Sequence, residues 1–125
     1  MFQTIVVGTD GSQTAEKAVE EASQLAAAVG ASVHIVRAVA GPGGDPEAEL
    51  QSAAETAKDA GIEAQTHIIR DDASEALIAA AEEHDADLVL IGNKGMTGAR
   101  RFLLGSVPND VAHHAPCSVL IARTN

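Results

Sequence analysis

Short apolar runs and helical patterns alternate along the whole chain, and that alternation limits the fold more than any other property. TIVVG (Thr4 to Gly8) is a continuous apolar run of strand length. A helical pattern follows, with Ala15, Ala18, Val19, Ala22, Leu25, Ala26 and Val29 on one face and Gly30 placed to close it. SVHIVRAV (Ser32 to Val39) is a second strand, and Asp45-Pro46 then supplies an N-cap with proline at the first helical position. That helix carries Leu50, Ala53, Ala54 and Ala57, stops at Gly61, and gives way to a third strand, Ile62 to Ile69. Asp72 with Glu75 forms a capping box for a helix that buries Ala73, Ala76, Leu77 and Ala80. A strand at Asp87 to Ile91, a short helix around Val107, Val111 and Ala115, and a strand at Cys117 to Arg123 complete the series. Strands that alternate with helices pair in parallel through right-handed crossovers, which bury both faces of the sheet. The expected architecture is a doubly wound α/β sandwich of three layers with a five-stranded parallel sheet, in one domain over residues 1–125.

One segment points to a ligand. Gly92, two residues, Gly95, nine residues, then Gly105-Ser106 lie between a strand and a helix start. Glycines let backbone N–H groups approach an anion, and a helix N-terminus adds unpaired donors and a positive dipole end. The Walker loop needs Gly-Lys-Ser/Thr, whereas Lys94 precedes the second glycine here. The dinucleotide fingerprint needs three closely spaced glycines after the first strand, where this chain reads Gly8-Thr9-Asp10-Gly11-Ser12.

Charge fits a small anion and argues against nucleic acid or an anionic membrane as partner. The net charge is −10, yet three of the eight Lys and Arg residues (Lys94, Arg100, Arg101) gather in the glycine segment. No apolar run approaches the roughly 20 residues that cross a bilayer. The first residues read as a strand rather than a signal peptide, so a cytoplasmic protein is expected. With only 2% aromatic residues the core must be Val, Ile, Leu and Ala; the single cysteine, Cys117, is expected to be a small buried hydrophobe. His34 and His67 fall in different strands, His84 near a helix end, and His113 and His114 are adjacent on a helix. None has a metal-ligand spacing, and core or surface placement is expected of all five.

In a doubly wound sheet the ligand sits beyond the carboxyl ends of the strands, where the strand order reverses. In the order 3-2-1-4-5 that point brings the Gly8–Ser12 turn together with the Gly92–Ser106 segment. IVVGTDGS, DLVLIGNKG, the glycine spacing and the closing HAPCSVLIAR together resemble the universal stress protein family along the whole chain. The resemblance implies the order 3-2-1-4-5, a homodimer through Ser118 to Arg123, and ATP as the favoured ligand. It places Asp10 and Val39 at the base and ribose end, and Gly92, Gly95, Gly105, Ser106 and Val107 along the ribose and phosphates. Thr9, Ile91, Asn93 and Lys94, in the same segments, complete the expected nucleotide-binding set. Asp10 would repel phosphate, so it suits a ribose hydroxyl or a Mg²⁺ ion carried by the nucleotide; its plainer role is an Asx turn. Ser106 can serve phosphate and helix cap together.

Many ATP-binding members carry Ser or Thr where this chain has Pro108, which offers neither a hydroxyl nor an N–H. This GSVP variant resembles an actinobacterial branch of the family, a resemblance that implies cyclic AMP or AMP as an alternative to ATP. Ser12 reads as a helix cap rather than a nucleophile, and no general base for ATP hydrolysis is evident. A nucleotide-binding stress or signalling module is the leading reading, ahead of a slow ATP hydrolase and of a ligand-free scaffold.

Overall fold

The computed structural model describes residues 1–93 and 106–124. Its elements run β1 (Thr4–Gly8), α1 (Gln13–Val29), β2 (Ser32–Ala38), α2 (Pro46–Asp59), β3 (Gln65–Ile69), α3 (Ala73–Glu83), β4 (Leu88–Gly92), α4 (Ser106–His114) and β5 (Ser118–Ala122). The five strands are parallel throughout, in the order β3-β2-β1-β4-β5.

The two-residue period of a strand splits the central apolar runs between two cores. Ile5, Val7, Val33, Ile35, Leu88 and Leu90 face α1 and α2. Val6, Val36, Val89 and Ile91 face α3 and α4, together with Ala76, Leu77, Ala80 and Val111. Both helical layers present many alanines, a small side chain that lets each helix lie close to the sheet.

Helix ends follow local chemistry. The Ser12 hydroxyl accepts from the Ala15 N–H at 3.2 Å, the Asp45 carboxylate from Ala48 at 3.2 Å, and Asp72 from Glu75 at 2.9 Å. Gly30 closes α1 in the left-handed region at φ 76°, where a Cβ is disfavoured.

Three expectations shift. The third strand begins at Gln65 instead of Ile62, because the Ile62 N–H donates to the Ala57 carbonyl at 2.9 Å and helps close α2. Ile62 and Ala64 nevertheless pack against the first core. Ala73, expected to be buried, is half-buried, while the next residue, Ser74, is buried. Cys117 is half-buried against the second core, and burial pushes its thiol pKa up.

Asp87 ties the start of β1 to the start of β4. Its carboxylate accepts from the Gln3 N–H at 2.9 Å and from the Thr4 N–H at 3.0 Å, which holds its pKa below the usual carboxylate value. A carboxyl whose pKa is lowered by folding stabilises the native state above its unfolded pKa of about 3.9, and that contribution fades as pH falls further. Asp87→Asn is therefore expected to lower the thermal midpoint at pH 7. The deficit should shrink towards pH 3, and a pH-independent deficit would assign Asp87 a packing role only.

Candidate nucleotide-binding crevice

The carboxyl ends of β1, β2 and β4 open onto a crevice of about 260 Å³ at the point where the strand order reverses. Its floor is Gly8, Val36, Ala38, Ile91 and Gly92 at strand ends. One wall is Thr14, Ala15 and Ala18 of α1, and the other is Ala73 and Leu77 of α3. Ser106, Val107 and Pro108 bring the N-terminal turn of α4 to the mouth. Most of this lining is apolar, with Thr9, Asp10, Thr14 and Ser106 as its polar side chains.

Six residues singled out from the sequence thus meet here: Thr9, Asp10, Ile91, Gly92, Ser106 and Val107. The turn after β1 is held by its own side chains. The Thr9 hydroxyl accepts from the Gly11 N–H at 3.1 Å, and the Asp10 carboxylate from the Ser12 N–H at 3.0 Å, an Asx turn. Gly11 lies at φ 82°, so glycine is required at that step.

Two other candidates stand outside the lining. Val39 lies one residue beyond the lining, and its N–H donates to the Ile69 carbonyl at 2.9 Å. The Asn93 side chain is directed to the end of β5, where its Oδ1 accepts from the Thr124 N–H at 3.0 Å and from the Thr124 hydroxyl at 3.2 Å. Lys94, Gly95 and Gly105 lie outside the described residues.

Sequence reasoning passed over Val36, Ala38, Ala73 and Leu77. The rule that ligands meet strand carboxyl ends would have found Ala38, whereas the α3 wall emerges only when the helix is laid on the sheet. The end of β2 is braced where Arg37 pairs with Glu49 of α2, Nε to Oε1 at 2.7 Å, while its guanidinium donates to the Ala38 carbonyl.

Such a crevice accommodates a flat apolar ring between Val36, Ala38, Leu77 and Ile91, with an anionic tail running towards the first turn of α4. Among the described residues lining it, Asp10 is the one ionisable side chain.

The histidines depart from expectation. His34 of β2, His67 of β3 and His84 at the end of α3 form one cluster, with ring centroids 4.1 to 5.1 Å apart. The parallel register pairs His34 with Gln65 and Val36 with His67, which sets both rings on one sheet face, and α3 lays His84 across them. No spacing along the chain carries that lateral coincidence.

The sequence matches the universal stress protein family over residues 1–123. A universal stress protein of Mycobacterium tuberculosis is 34% identical over an alignment of 148 positions, gaps included, that spans 98% of this chain and 97% of its own. A universal stress protein crystallised with cyclic AMP superposes with a TM-score of 0.88 at 38% identity, covering 99% of this chain and 98% of that one. A universal stress protein of Archaeoglobus fulgidus in complex with dAMP gives 0.78 at 26% identity, covering 95% and 96%. The alternating pattern, the crevice at the strand reversal and these relatives lead to one assignment: the chain belongs to the universal stress protein family.

Proposed function

We propose that the protein is a single-domain module, residues 1–125, that binds an adenine nucleotide in this crevice and signals through its bound state. The ligand that suits the site best is adenosine with one phosphate, cyclic AMP foremost. The observation that carries this reading is Pro108 in the first turn of α4, buried and lining the crevice. A helix start offers unpaired N–H groups to an anion, and proline removes one of them together with the hydroxyl that Ser or Thr would bring. A ligand with one phosphate asks for fewer donors. The relatives crystallised with cyclic AMP and with dAMP support the same size of ligand. The base packs on Ala38 and Leu77, the ribose lies by Asp10, and the phosphate meets Ser106 and Val107.

Titration calorimetry tests the ligand choice. Wild type is expected to bind cyclic AMP more tightly than ATP. Pro108→Ser restores a hydroxyl and an N–H, and a net hydrogen bond to a charged group is worth about 1.5–3 kcal/mol, so the ATP to cyclic AMP affinity ratio should rise roughly tenfold or more. An unmoved ratio would mean that position 108 does not face the phosphate. A second reading, ATP as ligand with its Mg²⁺ near Asp10, draws on the Gly92, Gly95 and Gly105 spacing. It is favoured if wild type already prefers ATP.

The module is further proposed to work as a homodimer through Ser118 to Arg123. β5 ends the sheet, and Leu120 exposes 37% of its surface there. The strand SVLIA carries no charge or proline that would deter pairing with a copy of itself about a two-fold axis. Light scattering should give a dimer for wild type and a monomer for Leu120→Lys; a monomeric wild type at micromolar concentration would contradict the interface.

A further inference from the structure

We propose that His34, His67 and His84 bind one divalent transition-metal ion, Zn²⁺ in particular, at the end of the sheet remote from the crevice. α3 leaves the carboxyl end of β3 and runs back along the sheet, so its last turn and His84 lie near the amino ends of the strands. The crevice lies at the opposite ends.

The three rings offer one nitrogen each, and those atoms all lie within 4.8 Å of one another. His34 Nδ1 and His67 Nε2 are already 2.9 Å apart. Tetrahedral zinc with Zn–N distances of about 2.0–2.1 Å sets its nitrogens about 3.4 Å apart. The half-buried rings of His67 and His84 must turn out of their stacked arrangement, 15° between the planes of His34 and His84, to aim their lone pairs at one ion. His34 is buried, with 6% of its surface exposed, and anchors the cluster. Imidazole nitrogen suits zinc, nickel and copper, whereas magnesium and calcium demand oxygen ligands that the cluster does not offer.

Burial first, and then the neighbouring histidines, hold His34 below the ordinary histidine pKa; burial and His84 do the same for His67. Neutral imidazole is the form that binds metal. Glu83 lies beside the cluster, its Oε2 3.9 Å from His84 Nε2, and water fills the fourth position. A bound ion ties the edge strand β3 to β2 and to the end of α3. The other end of α3 carries Ala73 and Leu77 into the crevice, so ion and nucleotide act on one helix.

The test uses the full chain, free of any histidine tag and stripped of metal, titrated with ZnCl₂ in a calorimeter. One Zn²⁺ per chain is expected. Losing an outer-shell partner of a metal ligand already costs about 10–100-fold in affinity, so His67→Gln and His84→Gln should each weaken binding by at least about tenfold. His113→Gln, on α4, should leave it unchanged. Cobalt absorption supplies a readout that needs no variant: wild type should show the visible bands of a tetrahedral nitrogen-rich site. Absence of saturable binding, a cobalt spectrum of the hexaaqua ion, or affinity unchanged in both variants overturns the proposal.

Discussion

Ala38→Glu is expected to weaken nucleotide binding by about 100-fold or more while leaving the fold intact. Ala38 closes β2 at the crevice floor and is only half-buried, so the added carboxylate has solvent to reach in the free protein. Ligand binding removes that solvent. Covering a polar group without a partner costs about 1–3 kcal/mol and a charge more, and 1.4 kcal/mol is tenfold in affinity. The carboxylate also stands in the path of an anionic tail. Calorimetry on the variant, with its circular dichroism matched to wild type, checks this. Retained affinity would move the base away from β2.

Leu90→Ala is expected to lower folding stability by about 3–4 kcal/mol. Leu90 lies in the middle of β4, is 1% exposed, and pairs in register with Val7 on one side and Leu120 on the other. Truncating a buried leucine loses its transfer free energy and leaves a cavity, and a strand held by neighbours on both sides has little room to collapse into it. Set against a total of about 5–15 kcal/mol for a protein domain, the loss is large. Urea denaturation should show a lower midpoint at unchanged slope. A loss under about 1 kcal/mol would mean that the face towards α1 is loosely packed.

Much of this is legible in the sequence alone. The continuous apolar runs of β1, β2 and β4 marked strands buried on both faces, and Asp45, Asp72, Ser12 and Gly30 marked helix ends through chemistry local to each. The Gly8–Ser12 turn and Ser106 were found at the site because strand carboxyl ends and a helix start are local properties too. What escaped was lateral. Asn93 belongs with Thr124 because β4 and β5 run side by side, and Leu77 reaches the crevice because α3 lies across the sheet. The histidine cluster is the plainest case. Residues 34, 67 and 84 meet through strand register and helix placement, neither of which leaves a spacing to detect.

The central claim is that this crevice holds an adenine nucleotide, and thermal unfolding with and without ligand tests it most directly. A ligand that binds only the native state at about 100 times its Kd adds about 2.7 kcal/mol of stability. Cyclic AMP at saturation should therefore raise the midpoint of the wild type by several degrees, and should raise that of Ala38→Glu far less. If cyclic AMP, AMP and ATP at millimolar concentration all leave the wild-type midpoint where it was, the crevice is not a nucleotide site.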